Sequence, residues 1–468
     1  MKRVTNILTV ASLLHLALAA WADNDVPLVV KAARVYTLAG EPLTPGIVVA
    51  SRGRIVAVGN DVEIPAGARV IDAGTGVVTP GLIDACCTID AEITQAGTSW
   101  AYGDPPRGLW QQLGWLARAR QQTAAPLDEL PPTDETALAP GLDAQVTWSD
   151  HAAEVTPHRL VIDAVNPLSN DFQRLLRGGV TTVYVSPDSS NVIGPRGAVL
   201  KTGGPLAERV VRAADAVKAT IGRDPSARGP GNFLPPIYGP APTFLTRRPH
   251  TRMGVEWVFR KAFHDALRVR RGLPIYGADM PPEAALPILH QVLDGQVPLR
   301  IQARMQHDIF TALRLADEFG LKFILEEGTE AYRCLPQLKA AGVPVVFGPL
   351  FWSPSGWRRY SNEVDRARLN TAQQLADAGI EFALTAQELR DEDGLVQQAL
   401  LAMRYGLTRE QALRAITVTP ARLLGLSDRL GALMPNADAD LVVWTGEPLH
   451  ATSRVRLVVI GGRVVYEE

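Results

Sequence analysis

Short apolar runs alternate with turn residues at both ends of the chain. Near the start, residues 28–36, 46–50 and 54–59 are rich in Val, Ile and Leu and are separated by Gly, Pro and Asn, a pattern typical of strands. The same style returns in residues 439–444 and 455–466. Strands this short need a partner sheet, so we expect the two ends of the chain to pair with each other.

The middle of the chain repeats a strand and a helix. A buried strand at 178–185 follows an expected helix at 171–177, and a strand at 297–305 precedes an amphipathic helix at 308–319. This alternation favours a parallel α/β architecture. A polar, Pro-rich stretch at about 91–156 interrupts the repeat, and a loop of this length in a compact domain is usually functional or disordered.

Composition sets the size and rules out two classes of partner. The chain has 468 residues, of which 46% are hydrophobic and 21% charged, so it can bury a large core and form more than one domain, or one barrel with an attachment. Its 47 basic and 49 acidic residues nearly cancel. A balanced charge offers no electrostatic footprint for nucleic acid or for an anionic membrane.

The N-terminus has the pattern of a secretory signal peptide. Lys2 and Arg3 precede an apolar run at 7–20, which ends in Ala20-Trp21-Ala22. A basic head, a short apolar middle and an Ala-x-Ala end predict that residues 1–22 are removed and that the protein is exported to the periplasm or the exterior. The run is too short to span a bilayer, and a buried first helix is the less favoured alternative.

Cysteine usage does not indicate a disulfide scaffold. Export implies an oxidising compartment, yet the only cysteines are Cys86, Cys87 and Cys334. Adjacent cysteines rarely bridge each other without strain, so at most one of the pair bonds Cys334. We expect at least one free thiol.

Residues 79–84, Thr-Pro-Gly-Leu-Ile-Asp, resemble the strand that opens the metal-dependent barrel of the amidohydrolase superfamily. Residues 178–202 and 382–444 are similar to one exported branch, the imidazolonepropionase-like amidohydrolases. The resemblance implies a TIM-like (β/α)8 barrel at 80–426. It also implies a composite β-sandwich formed by both termini, residues 23–79 and 427–468. The implied activity is hydrolysis of C–N bonds in cyclic amides or peptide-like substrates at a zinc centre.

The positions that match the family's metal ligands and proton shuttle hold other residues. The family has x-His-x-His after strand one, Ile-His-Ala-His on strand five, a His on strand six and an Asp after strand eight. In this chain the matching residues are Cys86 and Thr88 on strand one, Gln302 and Arg304 on strand five, Glu327 on strand six and Gln387 on strand eight. Lys201 is a possible match to the lysine that some branches carboxylate to bridge two metals.

These substitutions remove the chemistry that the family uses. A zinc site needs three or four neutral imidazole, carboxylate or thiolate donors, and of the matching residues only Cys86 and Glu327 can coordinate. The amide of Gln387 cannot take a proton from water, so the general base is missing. We therefore expect no metal cofactor. The remaining histidines form neither His-x-His nor His-Glu-x-x-His, although His151 and His158 lie in or near the long loop.

An ion pair is a physical substitute for the missing cation. Arg304 and Glu327 are expected on adjacent strands, which lie about 4.8 Å apart, and a guanidinium fork suits a carboxylate. We predict that this pair fills the former metal site as a structural feature, with Gln302 and Gln387 completing its hydrogen bonds. Arg304 could also lower the pKa of Cys86 and make it a nucleophile, but a thiol tolerated after loss of the metal is the favoured interpretation.

Three functions are compatible with the sequence. The first is a catalytically inactive relative of the amidohydrolases that binds a small molecule in the barrel mouth or has a role in assembly. The second is an active C–N hydrolase with an atypical site around Cys86, Glu327, Lys201 and a loop histidine, for which zinc would be required. The third is an envelope scaffold whose loop at 91–156 binds a partner. A homo-oligomer is compatible with each.

Overall fold

A computed structural model describes residues 26–89, 153–189, 191–226, 249, 251–277, 280–350, 363 and 367–468. The expected signal peptide, and all but the last few residues of the loop at 91–156, lie outside these residues. Within them, every helix is too short or too polar to cross a membrane.

Strands and helices follow the expected order along the chain. The strands are β1 (Leu28–Ala32), β2 (Arg34–Val35), β3 (Gly46–Ser51), β4 (Arg54–Gly59), β5 (Arg69–Asp72), β6 (Val77–Pro80), β7 (Leu82–Cys87), β8 (Val180–Val185), β9 (Ile193–Arg196), β10 (Ala198–Lys201), β11 (Val210–Arg212), β12 (Val217–Thr220), β13 (Leu299–Ala303), β14 (Phe323–Glu327), β15 (Val345–Phe347), β16 (Phe382–Leu384), β17 (Leu441–Trp444), β18 (Val455–Ile460) and β19 (Arg463–Glu467). The helices are α1 (Asn170–Arg177), α2 (Arg252–Arg270), α3 (Leu286–Leu293), α4 (Gln306–Phe319), α5 (Leu335–Ala341), α6 (Thr371–Asp377), α7 (Leu395–Arg404), α8 (Arg409–Ala415) and α9 (Val418–Leu423).

The two ends of the chain form a sandwich of two sheets around one core. One sheet has the order β4-β3-β1-β5, and the other has the order β19-β18-β17-β6-β2. The second sheet joins the termini directly, because β6 pairs antiparallel with β17. Alternate residues of these strands, such as Val30, Val48 and Val443, face inward and are buried together.

The barrel consists mainly of parallel strands, as the alternation predicted. In the described part, β7 pairs parallel with β8, and β12 to β16 form a continuous parallel set. Helix α4 shows why the helices cover this sheet: Ile309, Ala312 and Leu315 recur on one face and are buried. The helix ends at Gly320, whose positive φ of 67° suits glycine. The fold class predicted from the sequence is confirmed.

One part of the barrel departs from a simple parallel repeat. Between β8 and β12 the chain passes through β9, which is antiparallel to β12, and β10, which is antiparallel to β8. The chain changes from one sheet to the other at Gly197. A Cβ at this position would lie 2.2 Å from the hydroxyl oxygen of Tyr184, and Tyr184 is fully buried. Glycine therefore permits this crossing.

A buried carboxylate, rather than a long series of backbone hydrogen bonds, joins β7 to β16 and closes the seam between the first and last barrel strands. Asp84 accepts hydrogen bonds from the Thr385 hydroxyl at 2.6 Å and from the Ala386 and Cys86 amides at 3.0 Å each. Burial raises the pKa of Asp84, and these bonds counteract the shift. Asp84 is the last residue of the Thr-Pro-Gly-Leu-Ile-Asp motif, so in this chain the motif joins the first barrel strand to the last.

Replacing Gly197 with Ala should destabilise the protein by about 1–3 kcal/mol, because an added methyl group overpacks a closed core. The clash with Tyr184 cannot be relieved by movement into solvent. Chemical denaturation of the full chain measures the effect. Gly40→Ala is the matched control, because a Cβ there meets no atom within 4 Å. Equal unfolding midpoints for the two variants would show that Tyr184 does not require glycine here.

Candidate functional site

Polar side chains occupy the interior of the barrel on three neighbouring strands. Arg300 and Gln302 alternate on one face of β13, and Arg304 directly follows the strand. Lys218 on β12 and Glu326 on β14 flank this row through the strand register. Each of these five side chains is at least nine-tenths buried. Barrel interiors are usually filled by branched apolar residues, so a charged interior needs internal partners.

Arg304 and Glu327 form the predicted ion pair at the outer level of the barrel. The Arg304 Nε donates a short hydrogen bond to Glu327, and Nη2 donates a second one at 3.2 Å, so the pair is bidentate. Arg304 Nη1 also donates to Asp224 at 2.8 Å and lies 3.6 Å from Glu363. Burial lowers the pKa of Arg304, but Asp224 and Glu327 outweigh burial and hold it well above its ordinary value. The predicted ion pair between Arg304 and Glu327 is confirmed.

Gln302 supports this pair as predicted, whereas Gln387 does not. With its amide oxygen turned toward the guanidinium, Gln302 accepts a hydrogen bond from Arg304 Nη2 at 3.1 Å and lies 3.2 Å from Nε. The Gln387 amide instead points Nε2 at the Cys86 sulfur, 3.8 Å away. The backbone explains the difference, because Gln387 has a φ of +51° and leaves the strand direction of β16.

Glu327 also has a left-handed backbone, with a φ of +66°. In a regular strand, consecutive side chains point to opposite faces, so Glu327 would face away from the interior that Glu326 occupies. The left-handed conformation breaks this alternation, and both carboxylates reach arginines of β13. Glu327 and Gln387, the positions predicted to match a metal ligand and a proton shuttle of the family, are therefore both non-glycine residues with strained backbones. Such strain concentrates at functional sites.

A rim of further charges surrounds the pair. Arg252, the first residue of α2, donates to both oxygens of Asp308 at 2.8 and 3.2 Å and to Glu363 at 2.5 Å. Burial, and then the charge of Asp224, raise the pKa of Glu363. The rim and the pair together contain four carboxylates and two guanidinium groups. Asp224 and Arg252 are the accessible members, with side chains 24% and 36% exposed.

A second buried cluster lies deeper and was not anticipated from the sequence. Glu326 accepts from Arg300 at 2.5 Å and from Lys218 at 2.7 Å. Lys218 also donates to the Ser186 hydroxyl at 3.0 Å, and the Arg300 guanidinium stacks 3.9 Å from the ring centre of Tyr184. Two signals could have revealed it: Arg300 precedes Gln302 and Arg304 at a spacing of two, and Glu326 stands beside Glu327.

Mutual pairing favours the charged forms of Lys218 and Glu326 in this deeper cluster. Burial favours a neutral Lys218, but Glu326 more than offsets this effect and raises the pKa of the ammonium group. Burial would likewise raise the pKa of Glu326, yet Lys218 and Arg300 hold it below its ordinary value. A lysine held in its charged form cannot take a proton from Ser186. The contact between Ser186 and Lys218 is therefore a structural hydrogen bond and does not form a nucleophile and its base.

Burial favours the protonated, unreactive form of all three thiols. Cys86 faces the interior, and burial followed by the charge of Glu326 raises its pKa. Cys87 faces the other way and accepts a contact from Arg390 at 3.4 Å, and burial raises its pKa also. Burial raises the pKa of Cys334 to about 12. All three thiols are free, as expected for at least one of them, and a protonated Cys86 does not fit the alternative of a thiol nucleophile.

Thr88 and Lys201 do not take part in the outer pair. The amide of Thr88 donates to the Gln387 carbonyl at 3.3 Å, and its own carbonyl accepts from Arg390, so its main chain closes the end of the seam. Lys201, a possible match to the metal-bridging lysine, lies away from the Arg304 and Glu327 pair. Its ammonium pairs with Asp438 at 3.2 Å and with Asp440, next to the sandwich. The lysine inside the barrel is Lys218.

The residues of this site do not fit a zinc ion. Cys86 is held in its thiol form, both oxygens of Glu327 are engaged by Arg304, and Arg304 itself is a cation at a ligand position. Zinc needs deprotonated or neutral donors with free lone pairs. Across the described ranges, no three His, Cys, Asp or Glu side chains are grouped so that they could hold a metal. His151 lies outside those ranges.

Comparisons with known proteins point to one superfamily. The model of the Amidohydrolase family matches residues 376–466. The chain is 24% identical over 437 residues to the amidohydrolase tasK of Hapsidospora irregularis, covering 84% of this chain but only 42% of that protein. It is 27% identical to an imidazolonepropionase of Anaeromyxobacter dehalogenans over 452 residues, which is 91% of each. The solved amidohydrolase of Thermotoga maritima MSB8 aligns with a TM-score of 0.70 and 28% identity, covering 94% of this chain and all of that one.

Arg304→Met should cost about 3–5 kcal/mol of stability, because it leaves buried carboxylates without their guanidinium. Adding Glu327→Gln to this variant should recover part of the loss, which a double-mutant cycle in denaturant measures. Arg314→Met is the matched control: its side chain is 60% exposed and pairs with Glu256, so it should cost about 0–1 kcal/mol. Similar losses for the two arginine variants would contradict the ion-pair assignment.

Glu326→Gln should also destabilise the protein by about 3 kcal/mol or more at neutral pH, since two buried cations lose their carboxylate. The pKa of Glu326 is depressed below 4.5. Its stabilisation is therefore present above pH 4.5 and is lost as the pH falls through the folded-state pKa. The difference between native protein and variant should shrink below pH 4.5, which denaturation over a pH series measures.

Glu318→Gln is the control for this pH series. Its ion pair with Arg260 is partly exposed, so the change should cost under about 1 kcal/mol at any pH. A gap between native protein and Glu326→Gln that stays constant from pH 7 to pH 3 would show that Glu326 is not ionised in the folded chain.

Proposed function

This chain belongs to the amidohydrolase superfamily, and we propose that it is a non-hydrolytic member in which an ion-pair network replaces the metal centre. Its role is then binding or assembly rather than hydrolysis of C–N bonds. The relatives named above are hydrolases by name, and their activity does not transfer to a site with different residues, because function depends on the site rather than on the fold.

The proposal rests on one observation. Arg304 donates two hydrogen bonds to Glu327, and both residues stand at positions that match metal ligands of the family. A guanidinium is always protonated in proteins, so it repels a metal cation and does not coordinate it. It also occupies both oxygens of Glu327, the one carboxylate among the positions that match the family's ligands. Replacing a divalent ion by a guanidinium keeps positive charge in the barrel but supplies no site for an activated water.

Among the described residues of this site, no group is suited to activate water or a nucleophile. The position of the proton shuttle holds Gln387, whose amide has no useful basicity. Cys86 stays protonated because of burial and Glu326, and Ser186 faces a charged Lys218. The alternative was an atypical hydrolase built from Cys86, Glu327, Lys201 and a loop histidine. The geometry does not support the part assigned to Lys201, which pairs with Asp438 and Asp440.

Any ligand of the barrel would meet the rim rather than the interior. The interior charges are paired with one another, while Asp224 and Arg252 expose part of their side chains. A small polar molecule that hydrogen-bonds to a carboxylate and a guanidinium is the class that these two groups suit. Binding there needs no metal and no proton transfer.

The proposal predicts that the purified chain holds no stoichiometric zinc and does not hydrolyse cyclic amides or dipeptides. The measurement is metal analysis after incubation with zinc and desalting, together with product analysis before and after chelation. An active zinc amidohydrolase carried through the same procedure is the positive control.

The substitutions Glu327→Gln and Cys86→Ser also test whether the chain binds zinc at this site. These substitutions remove the only two plausible donors among the matching positions, so neither should change the metal content of the chain. One equivalent of zinc that disappears in either variant, with amide hydrolysis lost on chelation, would establish the hydrolase alternative and refute the proposal.

A further inference from the structure

Three consecutive residues, Asp438, Ala439 and Asp440, lie where the barrel meets the sandwich. We call them the 438–440 joint. The side chains of Asp438 and Asp440 are only 8% and 5% exposed, and Ala439 is buried in the core of the sandwich. Both carboxylates need partners inside the protein, because an unpaired buried ion is strongly unfavourable.

The main chain of the joint contacts both sheets of the sandwich and the first barrel strand. The Ala439 amide donates to the Gly53 carbonyl at 2.9 Å, and the Ala439 carbonyl accepts from the Gly462 amide at 3.0 Å. These glycines lie in the turns of the β3–β4 and β18–β19 hairpins, one hairpin from each sheet. On the barrel side, the Asp440 carbonyl accepts from the Gly81 amide at 3.0 Å, just before β7.

Lys201 supplies a buried cation to the joint from the barrel side. It is the last residue of β10, which pairs with β8, and its side chain is 9% exposed. Its ammonium group lies 3.2 Å from Asp438 and donates a short hydrogen bond to Asp440. In the described part of the chain, Lys201 is the one cation that contacts Asp440. The other oxygen of Asp440 accepts from the Gly461 amide at 2.9 Å.

Asp438 has other cations and does not depend on Lys201. Arg429 donates to both of its oxygens at 3.2 and 3.0 Å, and Arg54 lies 2.8 Å away. These two arginines are 37% and 46% exposed, so they neutralise Asp438 from the surface. Loss of Lys201 would therefore leave Asp440, rather than Asp438, without a cation.

Apolar side chains also hold the sandwich against the barrel. Val442 and Val455 belong to the same buried cluster as the barrel core, and a Cβ added at Gly179 would lie 3.2–3.3 Å from their methyl groups. Apolar burial is non-directional, so these contacts attract the two surfaces without fixing one arrangement. An ion pair with one member on each side adds the missing constraint on position.

We propose that the ion pair between Lys201 and Asp440 couples the barrel and the sandwich into one cooperative unit. Without Lys201, the Asp440 carboxylate would regain water when the sandwich moves away from the barrel. Separation would then become easier, while the sandwich keeps its own apolar core. This is a partial opening of the molecule, which differs from global unfolding. The role does not depend on what the barrel binds.

Native-state hydrogen exchange of the full chain, read by mass spectrometry, tests the proposal. In the native protein, amides of β1 in the sandwich and of β13 in the barrel should exchange through the same slow global opening. Lys201→Met should speed exchange in β1 by roughly 100-fold relative to β13, because removing one member of a buried pair leaves the other unpaired. Adding Asp440→Asn should restore most of the protection, since the neutral amide keeps an oxygen for Gly461.

Lys201→Gln is the milder variant for use if Lys201→Met does not fold. It keeps a hydrogen-bond donor but removes the charge, so it should change the ratio of exchange rates in the same direction by about tenfold.

Lys261→Met is the matched control. Lys261 also pairs with a buried carboxylate, that of Asp265 at 2.6 Å, but both residues lie on helix α2. This change should affect exchange in α2 without altering the ratio between β1 and β13. Lysine-201 variants in which β1 and β13 lose protection equally, or in which neither strand changes, overturn the proposal.

Discussion

Two arginines inside the barrel must be neutralised, and the rest of the site follows from this constraint. An unpaired buried ion costs several kcal/mol even after the protein relaxes. Arg300 and Arg304 lie on or just after the same strand, and the next strand supplies Glu326 to the first and Glu327 to the second. The pairing of β13 with β14 is thus fixed by charge as well as by backbone hydrogen bonds.

The surrounding structure accommodates these charges at some cost to regular geometry. Glu327 reaches Arg304 by adopting a left-handed backbone. The chain crosses between sheets at Gly197, where only a glycine leaves room for Tyr184 beneath Arg300. In both places the backbone departs locally from ideal strand geometry. The departure lets Glu327 contact Arg304, and it leaves room for Tyr184 beside Gly197.

The sequence predicted the site best where its residues belong to a continuous motif on a strand. The strand that ends in Asp84 and the positions of Arg304 and Glu327 followed from motif spacing and strand register. Asp224 and Arg252 were missed because they lie outside the barrel strands, where spacing along the chain does not reveal their partners. Lys218 was missed because β12, the strand that carries it, was not predicted from the sequence. The position of Lys201, a possible match to the bridging lysine, was equally hard to predict, because β10 is antiparallel to β8 and does not belong to a repeated strand and helix. The orientation of Gln387 depends on one φ angle and could not be read from residue type.

The mutual dependence of Arg304 and Glu327 also restricts how these two positions can be engineered. Introducing histidine at either position alone would leave the opposite charge unpaired in a buried site. A redesign that aims to install metal ligands here must therefore change both positions in one step, and it must also provide for Asp224, which contacts the same guanidinium.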